Sequence, residues 1–220
     1  MVSPIGVHWS PLESTGIHLE SYRSRGGRVK SSEKSGPGKC VCGLGVIACA
    51  CHGCFCPSSV VDFPKGEKQM HMDYALSETA KTTNMTHIQK LALIYDIMCE
   101  YGVHLETRFL EHFALTLPDG IEIIKAIGLF HVHGHVDRCL HRYATTYIPD
   151  LGMIDGEILE TLWSVINQTA RSTRGATTAH RTEILDDHMG DSNWKKTINM
   201  GGFRFISEPW LPKNIPQPQQ

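Results

Sequence analysis

Apolar positions are spread unevenly along the 220-residue chain. Residues 24–39 hold a single apolar residue, Val29, among Ser, Gly, Lys and Arg. So polar a stretch cannot bury enough surface to offset its ordering entropy. Residues 1–39 are therefore expected to form a solvated, mildly basic Gly/Ser-rich tail. The pattern changes near Cys42. Residues 45–56 are apolar and β-compatible, Pro57-Ser58-Ser59 punctuates them, and Val60-Val61-Asp62-Phe63 forms a second short strand candidate before the turn Pro64-Lys65-Gly66. Residues 67–81 read as a helix. Residues 91–97 are a continuous apolar run with one acid, Asp96, near its C-terminal end. A run apolar to both faces predicts an interior strand covered on both sides.

Helical spacing dominates the rest. Residues 99–113 and 135–147 suit helices, with a short apolar segment at 121–130 between them. Residues 155–170 carry the clearest period. At ~100° per residue, Ile154, Ile158, Leu159, Leu162, Trp163, Val165 and Ile166 share one half of the helix, and Glu157, Glu160, Ser164 and Asn167 the other. Residues 177–189 form a further helix, and Pro-rich residues 209–220 should fray. The pattern predicts an α/β protein with a mostly helical C-terminal half. One domain is expected over residues 40–200, followed by a Pro-rich tail at 201–220.

Hydrophobic residues at 41% and charged residues at 20% are ordinary for a soluble globular protein. A formal charge of −2 excludes a whole-chain basic field, so contact with nucleic acid would need local basic clusters or bound metal. The longest apolar stretch, residues 44–51, is far shorter than the ~20 residues of a spanning helix. No charged segment followed by an apolar core marks a secretory signal. The eight cysteines are thus expected to be reduced, as thiols or metal ligands.

Three groups of residues can carry chemistry. Asp96 ends a buried strand, where an unpaired carboxylate is costly unless it binds a metal, and Glu157 lies on the polar half of a later helix. Oxygen ligands of this kind suit Mg²⁺ or Mn²⁺; the alternative is an Asp that caps the following helix and a solvated Glu. His131, His135 and Cys139 are spaced four apart and would stack along one side of a helix. With Cys99 they make a candidate Zn²⁺ set, although Gly134 interrupts the spacing and the histidines can instead cap a helix start. The cysteines at 40, 42, 49, 51, 54 and 56 include one C-x-x-C element but no second pair, which favours a buried strand with Cys at small apolar positions. Trp194-Lys195-Lys196 can meet a phosphate backbone or simply end an exposed helix.

Taken in order, these segments resemble one family. The stretches are Ile47-Ala48-Cys49 through His52-Gly53-Cys54-Phe55, then Val60-Val61-Asp62-Phe63-Pro64-Lys65-Gly66-Glu67, Met72-Asp73-Tyr74-Ala75-Leu76 and Ile94-Tyr95-Asp96-Ile97-Met98-Cys99-Glu100-Tyr101. Further along come Gly128-Leu129-Phe130-His131-Val132-His133-Gly134-His135 with Cys139, then Asp155-Gly156-Glu157-Ile158-Leu159-Glu160-Thr161-Leu162-Trp163, and finally residues 181–189 and 193–196. Their wording over roughly residues 43–200 resembles the C-terminal half of KDZ (Kyakuja–Dileera–Zisupton) transposases. The resemblance implies a ribonuclease-H-like core with a helical insertion before the last acid. It also implies nuclear localisation, DNA as partner, assembly into a homo-oligomer, and strand cleavage and transfer by three acids on two Mg²⁺ or Mn²⁺ ions. Asp96 would be the second acid and Glu157 the third, with Glu160 in reserve. The first acid belongs on an opening strand that is not visible here, since residues 1–39 offer only Glu13, Glu20 and Glu33, and Asp62 and Asp73 come too late. The expectation is a partial core lacking its first strand, a truncated and inactive transposase remnant. The alternative is a non-enzymatic zinc-binding or interaction module. Retained DNA binding with dead chemistry is a third reading.

Overall fold

The computed structural model describes residues 14–23, 43–63, 68–85, 88–149, 151, 154, 156–169, 173 and 176–206, of which 14–23, 165 and 201–206 are described as backbone alone. The chain divides into two compact units, Met1–Gln168 and Thr169–Gln220. The division falls inside the span expected to be one domain.

The first unit is built on a five-stranded sheet. Its strands are β1 (Ser14–Arg23), β2 (Gly43–Cys49), β3 (Val61–Phe63), β4 (Lys90–Tyr95) and β5 (Glu122–Ala126), in the spatial order β3-β2-β1-β4-β5. β2 runs antiparallel to both β1 and β3, whereas β4 runs parallel to β1 and β5. Two expectations are corrected here. Residues 14–23 are not part of a solvated tail, and the sheet does not lack an opening strand: β1 lies at its centre. Thr15, Ile17 and Leu19 alternate with Gly16, His18 and Glu20, the period-two pattern of a strand. That pattern is short and weak beside the polar run that follows it. What holds β1 is hydrogen bonding to two strands at once, with Leu19 opposite both Ile47 and Tyr95.

β4 matches its continuous apolar sequence. Leu91, Leu93 and Tyr95 enter the main core with Ile47, Phe63, Met72 and Leu76, while Ala92 and Ile94 enter a smaller core with Ala126 and Leu151. Both faces of the strand are therefore covered by buried apolar side chains. Helix α1 (Gln69–Thr82) covers the first face through Met72, Ala75 and Leu76. Its Asp73, 2% exposed, is met by the guanidinium of Arg108, with Nε donating to Oδ2 at 2.7 Å and Nη2 to Oδ1 at 2.9 Å. Arg108 also lies 4.8 Å above the Tyr101 ring.

The helix expected over residues 99–113 is two short ones, α2 (Met98–Tyr101) and α3 (Leu105–Glu111). Gly102 ends the first, and its carbonyl is taken by Lys125 Nζ at 2.6 Å. The helix expected over 135–147 shortens to α5 (Asp137–Tyr143), preceded by a single turn, α4 (Leu129–Val132). Ala144 leaves helical geometry because the chain returns to the sheet there, pairing with Ile127 before a 3-10 turn at Thr145–Tyr147. Helix α6 (Ile158–Ile166) follows the expected period: Leu159, Leu162, Trp163 and Ile166 are buried, Glu160 and Ser164 exposed.

The second unit is dominated by one helix, α7 (Thr178–Ile206), which runs well past the expected end at 189. Most of its described side chains are exposed, Trp194 among them, and Lys195 pairs with Asp191 one turn away at 2.6 Å. Among the described residues no helix is long and apolar enough to cross a membrane.

Candidate active site

The carboxyl ends of parallel strands leave backbone ends and side chains converging on one edge, where sites are commonly built. Asp96 follows β4 at this edge. It is half-buried, and its Oδ1 accepts the Ile97 N–H at 2.9 Å. Burial pushes its carboxyl above the ordinary 3.8, against the opposing pull of His131, the Ile97 N–H and His135.

Glu157 is brought to the same edge by two glycines. The β4–β5 register ends at Ile94↔Ala126, and Gly128 comes two residues after the last paired position of β5, as Asp96 comes two after that of β4. A Cβ on Gly128 would collide with Glu157 Oε1 and stand 2.8 Å from the Gly156 carbonyl. Gly156 has φ +78°, and a Cβ on it would lie 2.9 Å from Gly128 Cα and 3.0 Å from Ile94 Cγ2. Only a glycine at each position allows this approach. Glu157 Oε1 then accepts the Phe130 N–H at the start of α4, at 2.9 Å.

His131, on α4, sits between the acids. Its Nε2 is 3.4 Å from Glu157 Oε2 and 3.5 Å from Glu160 Oε1, and its charge bears on Asp96. Asp96 thus shares a histidine neighbour with Glu157 and Glu160, although one strand and several helices separate it from them in sequence. Glu160 is the more exposed of the two glutamates.

The four-residue spacing of His131, His135 and Cys139 does not hold as one helical row. α4 ends at Val132 and α5 begins at Asp137, with the Gly134 N–H turned back onto the His131 carbonyl at 2.9 Å. His131 is therefore removed from the expected zinc set and joins the acids. The other three members meet: ligand atoms of Cys99, His135 and Cys139 all lie within 4.8 Å of one another, with Cys99 Sγ 3.4 Å from His135 Nδ1. This group could hold a metal such as zinc.

The second cysteine cluster forms a tight loop after β2. The Cys49 N–H donates to the Cys54 carbonyl at 2.8 Å, and Gly53 at φ +65° closes the turn. Cys49 and Cys56 are buried, as small apolar residues would be, and burial together with Cys54 pushes the Cys56 thiol up to about 12. Cys49 Sγ lies 3.3 Å from His52 Nδ1. Cys40, Cys42 and Asp155 fall outside the described residues.

Sequence reasoning singled out neither Gly128 and Gly156, which bring Glu157 in, nor His131 as a partner of the acids. Glu20 is named there only as an acid of residues 1–39, without a strand to carry it. The β1–β4 register ends at Leu19↔Tyr95, one residue before Glu20 on β1 and before Asp96 after β4.

No curated protein and no solved structure matches the chain. A family profile described as KDZ, Kyakuja-Dileera-Zisupton transposase, matches residues 28–193, well over half of the sequence. It spans β2 to β5, Asp96, the loop carrying His131 and His135, and Glu157. The chain belongs to the Kyakuja-Dileera-Zisupton transposase family.

Proposed function

We propose that the sheet is a ribonuclease-H-like core whose carboxyl edge cleaves DNA strands with Mg²⁺ or Mn²⁺, held by Asp96 and Glu157, with Glu20, next after the last β4-paired residue of β1, as the candidate third acid. What supports this is the packing of Glu157 Oε1 against Gly128 just past β5, with His131 beside Glu157 and acting electrostatically on Asp96 just past β4. The strand order β3-β2-β1-β4-β5, with β2 alone reversed against β1, supports the fold reading. Family membership supports DNA as partner, in the nucleus, with copies of the chain assembling on it.

The donor set fits a hard dication. Asp96 and Glu157 present carboxylate oxygens, the ligands such ions prefer, and burial disfavours a bare charge on Asp96 in a way that a bound cation relieves. When bound, such a pair of ions polarises a phosphate and activates water or a 3′ hydroxyl for in-line attack. The chain's own residues do the positioning. The Phe130 N–H fixes one oxygen of Glu157 and the Ile97 N–H one oxygen of Asp96, so each carboxylate is aimed before substrate arrives. His131 lies within reach of Glu157 and Glu160 and is placed to hold or release a proton at Nε2. Glu160, on the same side of α6, is the reserve acid.

The presence of β1 supports a core with its opening strand in place. The test is nicking of supercoiled plasmid in Mn²⁺. Wild type should nick, and Asp96→Asn, Glu157→Gln and Glu20→Gln should each lose activity while keeping the native circular dichroism spectrum. Changing a group that only hydrogen-bonds a metal's ligand already costs about 10- to 100-fold, so changing a direct ligand should cost more. Wild type no faster than Asp96→Asn would sink the proposal and leave a non-catalytic member of the family. Nicking that survives only in Glu20→Gln would remove Glu20 from the set.

A further inference from the structure

The soft donors beside the acid site form a second, chemically distinct centre. We propose that Cys99, His135 and Cys139 hold one zinc ion, its fourth position filled by water from the adjoining cleft.

The geometry is that of a site, not of a chance pair. Cys99 comes from α2, directly after β4, whereas His135 and Cys139 come from the turn before α5 and from α5 itself. All three donor atoms lie within 4.8 Å of one another. Zn–S near 2.3 Å and Zn–N near 2.05 Å in a tetrahedron put S and N donors ~3.6 Å apart. Cys99 Sγ and His135 Nδ1 stand at 3.4 Å, close to that edge length. The three residues line one wall of an open cleft of about 1030 Å³, which gives water a route to the fourth position.

Binding forms two Zn–S bonds and one Zn–N bond, and releases the two thiol protons to solvent, leaving a centre of zero net charge.

The ion ties α2 to α5 and so anchors the C-terminal end of the segment that presents the Phe130 N–H to Glu157 and His131 to both glutamates. Zinc here is a brace and the acid site the reacting centre. The two fail separately, because Asp96→Asn should lose nicking and keep zinc.

The experiment uses the full chain, purified under reducing conditions and dialysed. Metal analysis should find about one zinc per chain. Alkylation followed by peptide mapping should leave Cys99 and Cys139 unmodified until a chelator is added, a readout that needs no variant. Cobalt in place of zinc should give a thiolate charge-transfer band and tetrahedral visible absorption, both lost in Cys99→Ser and in Cys139→Ser. Three results would overturn the proposal: Cys99 and Cys139 alkylating freely in the dialysed wild type, full zinc retention in both serine variants, or a Cys99–Cys139 disulfide under the same reducing conditions.

Discussion

Asp73 and Asp96 are both removed from bulk water in one unit, yet they live differently. Asp73 is almost completely buried and is gripped by two parallel N–H donors of Arg108, a guanidinium held in turn by the Tyr101 carbonyl and ring. Asp96 is half-buried, accepts one backbone N–H, and faces the histidines of a loop instead of an arginine. The first acid has its countercharge built in and is finished as structure. The second has its charge discouraged by burial and only loosely offset, the state in which a carboxylate gains most from a cation brought from solution. The difference teaches where to look for chemistry: at the acid whose electrostatics the fold leaves incomplete.

That contrast can be broken from either side. Arg108→Met should be the most damaging change, about 3–5 kcal/mol, since it strands a buried carboxylate. Adding Asp73→Leu in the same chain should recover most of the loss. Urea melts of the single and double variants measure both, and a mild single variant would mean the pair is not structural. Next in size, Asp96→Asn and Glu157→Gln should lower Mn²⁺-dependent nicking by more than about a hundredfold, roughly 2.7 kcal/mol in barrier, with little change in the melt. Gly128→Ala should cost about ten- to a hundredfold in nicking by displacing the Glu157 carboxylate it would touch, without touching the other acid itself.

The smallest effect has the opposite sign. Because Asp96 is raised in the folded state, the native chain holds that proton more tightly than the unfolded one does. Wild-type stability therefore falls as pH climbs from 3.8 through the raised folded value. Asp96→Asn should melt higher than wild type at neutral pH and show no gain below 3.8. Mn²⁺ should narrow the neutral gap by stabilising wild type alone. A variant that melts lower at every pH would make Asp96 a structural acid like Asp73.

Much of this was legible in the residues. The run around Leu91 to Tyr95, apolar to both sides, announced an interior strand, and the half-and-half pattern of α6 announced which residues it buries. Asp96 and Glu157 were marked by their places at a strand end and on a polar helix face. Local pattern failed where the deciding partner lies far off in sequence. β1 is chosen by β2 and β4, and Ala144 is drawn out of a helix by Ile127. His131 and His135 part company because Gly134 turns the chain between them. The close passage of Gly128 and Gly156 is a contact between two loops, and no periodicity records such a meeting.

The pairing of Ser14 with Lys90 also governs how the molecule comes into being. Some 76 residues separate the two partners, so the central strand of the sheet belongs to contacts of high order, among the slowest to form. At ribosomal rates of about 5–20 residues per second, β1 emerges roughly 4–15 s before β4 is complete. Through that interval its β4-facing edge is an open row of donors and acceptors, available to any other strand in reach. The nascent chain is thus most exposed to wrong partners between the synthesis of β1 and that of β4, and chaperone capture of that segment should govern how much of it reaches the native sheet.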